Sequence, residues 1–176
     1  TLLSCLLLPY DNIIKGNKSL LEITDEVRRL LDAFDKNVIA SKIDTQGKLI
    51  YVSKAFLDIS GYSLEELLER KHNIIYHADM PDSLIQNIWD TITQGKVWTG
   101  EIKKKKKDGS FFWIKTNITP DTDRNGHIHG YNIIQENITA EKALEELSHT
   151  LEDRVALEIK KNNEKTGFML QQSRLA

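Results

Sequence analysis

His72 and His77 sit five residues apart in "HNIIYHADMP", on either side of an apolar stretch and just ahead of Asp79. Imidazoles and a carboxylate are the ligand types of a transition metal, and a single histidine facing an apolar cavity is what an axial haem ligand requires. A metal would need a third convergent group, and the remaining candidate, His149, lies far along the chain. No short motif brings it in, so no metal site is expected, and both histidines also suit ordinary hydrogen bonding in a loop. A second candidate is the run Lys103–Lys107. In a strand, alternate side chains face opposite sides, so five lysines cannot form one continuous basic surface for nucleic acid. They read as a solvated strand end that discourages edge pairing, unless Lys104 turns inward, in which case an anionic ligand becomes plausible.

Other chemistry is sparse. No nucleophile has an adjacent base and no glycine loop is built to cradle phosphate, so catalysis by this segment is not expected. The 24 Lys and Arg against 26 Asp and Glu give no global charge that argues for nucleic acid. Cys5 is the single cysteine, which rules out an internal disulfide and fits a reducing, cytoplasmic setting. The apolar opening "TLLSCLLLPY" is far short of the roughly 20 residues of a membrane span. It reads either as the end of a membrane helix or as a helix packed on the core.

The elements that would position these residues follow from pattern. Residues 1–18 read as an apolar segment and linker, and 19–36 as an amphipathic helix opened by a capping box of Ser19 and Glu22. Leu20, Ile23, Val27 and Leu30 recur on this helix at steps of three and four, a seam for a partner helix. "VIASKI" and "KLIYVS" flank the turn "DTQG" as a hairpin, and Ser63 with Glu66 makes a second capping box. Pro81 opens a helix with Leu84, Ile88 and Ile92 on one stripe. "KVWTGEIKKKKK", "SFFWIKTNITP" and "GHIHGYNIIQEN" are three further strands, joined by Asp108-Gly109 and Asn125-Gly126 turns into an antiparallel meander. Residues 140–176 form a polar helix whose apolar line, Leu144, Leu147, Leu151 and Val155, is narrow enough to need a partner. A homodimer is expected.

Three phrases together resemble the PAS sensor family: "GKLIYVSKAFLDISGYSLEELLERKHNIIYHADMP", "VWTGEIKKKKKDGSFFWIKTNITP" and "GHIHGYNIIQENITAEK". The resemblance implies an α+β fold over residues 37–139, a five-stranded antiparallel sheet with short helices on one face. The wording of "HADMP" and W-x-G is similar to the flavin-binding aerotaxis receptors, and "LEDRVALEIKKNNEKTGFMLQQSRLA" resembles the connector before the dimerisation helix of sensor histidine kinases. By that likeness the chain is the input half of a bacterial, inner-membrane two-component kinase, its partners a second copy, a kinase core and, through it, a response regulator. The rivals are a relay module without ligand and the input domain of a diguanylate cyclase or chemoreceptor.

The resemblance also implies a pocket walled by Phe56, His72, Ile75, Trp89, Trp98, Ile102, Lys104, Ile114, Thr116, Tyr131, Ile133 and Gln135, a set that equally suits a packed core. The asparagines that hold flavin in the aerotaxis branch fall here on Ser53 and Lys104, whereas Trp98 matches an aromatic of that pocket and Gln135 falls where light-sensing flavin PAS domains place a glutamine. No tightly bound cofactor is therefore expected, with flavin and haem as alternatives, and adduct photochemistry is excluded because Cys5 lies outside the domain. Signal transfer is expected at "ENITAEK", where Asn137 and Thr139 can cap the last helix and Asn137 replaces the family's usual Asp.

Overall fold

The computed structural model describes residues 3–68 and 70–173, and the side chains of residues 1–18, 73 and 170–176 lie outside that description. The apolar opening and "QQSRLA" therefore have no side-chain account. Helix α1 runs from Leu3 to Asn37 without a break at residue 18. A capping box serves donors left free at a helix start, and the turn before Ser19 already supplies their carbonyl partners. Ser19 and Glu22 thus lie inside a helix that begins earlier than their pattern implied. No helix among the described residues is long and apolar enough to cross a membrane.

The strands β1 (Ile39–Ile43) and β2 (Leu49–Val52) form the expected hairpin. Its turn is closed by the Asp44 carboxylate, which accepts from the amides of Gln46 and Lys48. Helix α2 (Lys54–Ser60) starts at Ser53, and α3 (Leu64–Leu67) starts at Ser63 with the reciprocal Ser63–Glu66 box in place. A 3-10 turn (His72–Ile75) leads to α4 (Asp82–Ile92), then β3 (Trp98–Lys105), β4 (Phe111–Thr122), β5 (Ile128–Asn137) and α5 (Thr139–Ser173).

The five strands pair antiparallel in the order β2-β1-β5-β4-β3. This puts the chemistry-bearing centre of the sheet on β5, flanked by β1 and β4. The inner face follows the pleat: Phe112, Ile114, Thr116 and Ile118 are buried on β4, while Phe111, Lys115 and Asn117 face out. Against that face α2, α3, the 3-10 turn and α4 supply Phe56, Leu67, Ile75, Ile88 and Ile92. On the other face the end of α1 reaches β2, where the Tyr51 hydroxyl and the Lys54 amide both bond the Asp35 carboxylate.

Candidate ligand pocket and signal junction

Eleven of the twelve expected wall residues are buried on the inner side, and Trp89 is half-buried at the edge of the core. Trp98 lies flat along its own strand. Its indole donates to Asn87 Oδ1 at 2.9 Å, and its ring so closely covers Gly100 that a Cβ there would meet ring carbons at 2.5 and 2.6 Å. The W-x-G spacing is therefore a packing requirement, with a glycine making room for an indole.

Lys104 does turn inward. The pleat that exposes Lys105 places Lys104 opposite Phe112 on the buried face, with 0% of its surface exposed. Its Nζ lies 3.4 Å from His72 Nε2 and 5.0 Å from the centre of the Phe56 ring, and no carboxylate pairs with it among the described residues. Burial drives Lys104 well below the usual lysine range. His72 is likewise pushed well below the usual histidine range, first by burial and then by the neighbouring lysine. The other ring nitrogen, Nδ1, is 3.2 Å from the Tyr76 hydroxyl, whose own pKa burial raises to about 12.

The two histidines thus have different environments. His77 sits near the surface, its Nδ1 accepting from the Asp79 amide and its ring edge-on to Phe111. His149 pairs with Asp153 on α5, and no cluster of three metal-ligating side chains occurs among the described residues. His72 has both nitrogens engaged, so it offers haem no free axial position.

A second feature of the inner face is unspent hydrogen-bonding capacity. Ser41 Oγ, Thr116 Oγ1 and both amide atoms of Gln135 are buried without a partner. These side chains belong together: Thr116 is the cross-strand partner of Gln135, and Ser41 sits on β1 opposite Ile133 of β5. Buried polar groups without partners are costly, which marks this as a place for a polar ligand or water. Gln135 and Thr116 would suit the polar edge of a flavin ring. Ser53 would not serve it, because its Oγ already accepts from the amides of Ala40 and Phe56, and Lys104 offers an amine where an amide would be needed. As a set, the side chains do not fit a tightly held flavin.

Where β5 becomes α5, the backbone is strapped to the sheet. The Ile138 amide donates to the Trp113 carbonyl at 3.0 Å, and the Thr139 hydroxyl accepts from the Trp113 amide at 2.9 Å. Asn137 Oδ1 accepts from the Thr139 amide and hydroxyl, at 3.1 and 2.6 Å. Asn137 therefore serves the first helical turn as expected, whereas Thr139 fixes the helix to β4 rather than capping it. One turn on, Lys142 bridges to Glu101 of β3 at 2.8 Å.

Residues 49–134 match the family described as PAS fold. These residues form a PAS domain. The aerotaxis receptor of Escherichia coli (strain K12) is 34% identical over 108 residues, covering 61% of this chain and 21% of the receptor. The hybrid signal transduction histidine kinase L of Dictyostelium discoideum is 27% identical over 138 residues, covering 77% of this chain and 8% of the kinase. Among solved structures, a light-oxygen-voltage domain studied with a flavin analogue superposes with a TM-score of 0.59 at 22% identity, over 71% of this chain and 96% of that one. The chain thus spans about a fifth of the receptor's length. The PAS domain here is a sensory module of the kind that signalling proteins carry, with a five-stranded sheet, a helix before it and a long helix after it.

Sequence reasoning missed Tyr76, Ser41, Trp113 and the Glu101–Lys142 bridge. Ser41 was legible as the inward position of "IASKI", and Tyr76 as a neighbour of His72. The Trp113 and Glu101 links join segments far apart in sequence, and nothing local announces them.

Proposed function

We propose that this chain is the input half of a sensor histidine kinase, passing a ligand-borne, redox or conformational signal from the PAS core through a dimeric helix to the kinase. The observation that carries the reading is the β5–α5 junction. A 35-residue helix starts directly from the central strand and is tied to β4 and β3 by a few hydrogen bonds and one ion pair. Each of these hydrogen bonds is worth about 0.5–1.5 kcal/mol, within the range of an allosteric coupling of roughly 1–3 kcal/mol. A shift of the sheet can therefore bias the helix without unfolding either.

Homodimerisation is part of the proposal. On α5, Leu144, Leu147, Leu151 and Val155 are all exposed, and on α1 so are Leu20, Ile23, Val27 and Leu30. Apolar side chains repeating at helical spacing with no cover among the described residues are the surfaces a second copy would bury. Similarity to a histidine kinase and to a receptor supports a signalling output, with an inner-membrane parent as part of the same proposal. The test is an in-register graft of residues 34–176 onto a complete kinase core, with Thr139→Val at the junction. Altered basal autophosphorylation at unchanged dimer mass is expected; activity identical to the parent with and without stimulus would overturn the reading.

A further inference from the structure

Beside the Lys104–His72 pair lies a half-enclosed cleft of about 280 Å³, lined by Gln46, Gly47, Lys71, His72, Tyr76, Ile85 and Trp89. We propose that this cleft binds a small carboxylate anion, which seats between the Tyr76 hydroxyl and Lys71, beside the His72 ring, and is held by positive charge on the buried His72–Lys104 pair. The proposal rests on the reading of the domain as a sensory input and names a ligand class for this cleft at the edge of its core.

Three observations converge. First, Lys104 is fully buried, aimed at His72, and has no carboxylate partner among the described residues. A buried amine without a counter-charge stays neutral, and an anion entering beside it would favour its protonated form. Second, the titratable groups lining the cleft are Lys71, His72 and Tyr76, with no aspartate or glutamate among them. Lys71 is exposed at the mouth, and the Tyr76 hydroxyl at 3.2 Å from His72 Nδ1 can donate to an incoming oxygen. Third, the frame is rigid. The His72 amide donates to the Gly47 carbonyl at 3.0 Å and the Leu49 amide to the Arg70 carbonyl at 2.9 Å, so the 3-10 turn is stitched to the β1–β2 turn. Gly47 has φ of 81° and faces the Trp89 ring, with room at 3.0 Å for no Cβ without displacement of the indole.

The volume lies just below the range of drug-sized pockets, which suits an anion of a few heavy atoms. The two bases face each other at N···N distance, so they can share one proton as N–H···N, and the bound carboxylate stabilises that charge. Binding is then accompanied by proton uptake, a signature that simple surface attraction to Lys71 would not give.

The test is calorimetric titration of the purified chain with acetate and with succinate, each in two buffers of different ionisation enthalpy, with succinamide as the uncharged comparison. Saturable carboxylate binding with proton uptake is expected, with succinamide silent. Lys104→Met should weaken binding at least tenfold, and His72→Gln provides a second, independent variant should the first fail to fold. Equal binding of succinamide, unchanged affinity in both variants, or no saturation by either carboxylate would overturn the proposal. None of these outcomes touches the junction, so failure here is separable from failure of the relay reading, which the kinase graft reports.

Discussion

Replacing Lys104 with Met should flatten the dependence of stability on pH. In the folded protein the amine is fully buried and its pKa is depressed by loss of solvation, whereas in the unfolded chain it titrates near 10.4. Between those values the unfolded state binds one more proton, so wild-type stability rises with pH and is lost as pH falls toward the folded pKa. The slope for a single group is at most about 1.4 kcal/mol per pH unit, so two units can add up to about 2.7 kcal/mol. The useful window is about pH 7.5 to 9.5. Below it, the depressed His72 contributes a rise of the same sign, and above it the raised pKa values of Tyr51, Tyr76, Tyr131 and Lys142 reverse the trend. Urea unfolding of wild type and Lys104→Met across the window measures both slopes. The variant should be the more stable near neutral pH, because a similar apolar side chain needs no solvation there. Equal slopes in the two proteins would refute the claim that Lys104 is buried without a counter-ion.

Three further outcomes are expected. Gly100→Ala places a Cβ against the buried Trp98 ring and should cost about 1–3 kcal/mol in chemical denaturation, as overpacking does; full stability would show that the indole can move aside. Leu147→Glu with Leu151→Glu puts charge on the exposed α5 seam and should give monomers in light scattering, an unchanged dimer mass assigning the contact elsewhere. A double-mutant cycle on Glu101 and Lys142 should return a coupling close to zero at physiological salt, since both groups are solvated; a coupling that survives high salt would contradict this.

Periodicity made most of the sheet readable. The alternation in "FFWIKTNI" put Phe112, Ile114, Thr116 and Ile118 on the core side, and the structure buries all four. The same rule ruled out a continuous basic face for the lysine run, but reading the run as a solvated strand end was wrong for Lys104, which shares the buried face with Ile102 two residues earlier. Ser63 and Glu66 gave a helix start because Gly61, with φ of 75°, ends the preceding helix and leaves free donors to satisfy. Ser19 and Glu22 carry the same pattern inside an unbroken helix, where no donors are free. What sequence could not yield was pairing between distant segments. Thr139 looked like a cap because its type favours caps, and only the return of β5 alongside β4 brings Trp113 within reach of it. Likewise the unpartnered state of Gln135 is a property of its neighbours rather than of its own spacing.

The relay through the junction is tested most directly by amide hydrogen exchange on wild type and Thr139→Val. Losing the hydroxyl removes the acceptor of the Trp113 amide while keeping the side-chain shape. One hydrogen bond of about 0.5–1.5 kcal/mol corresponds to roughly 2- to 12-fold in a local opening equilibrium. The expected result is faster exchange by such a factor at Trp113, Ile138 and Lys142, with Ile114 and Ile133 in the centre of the sheet unchanged. Unchanged exchange at the junction, or equal acceleration throughout the sheet, would contradict a junction that moves independently of the core.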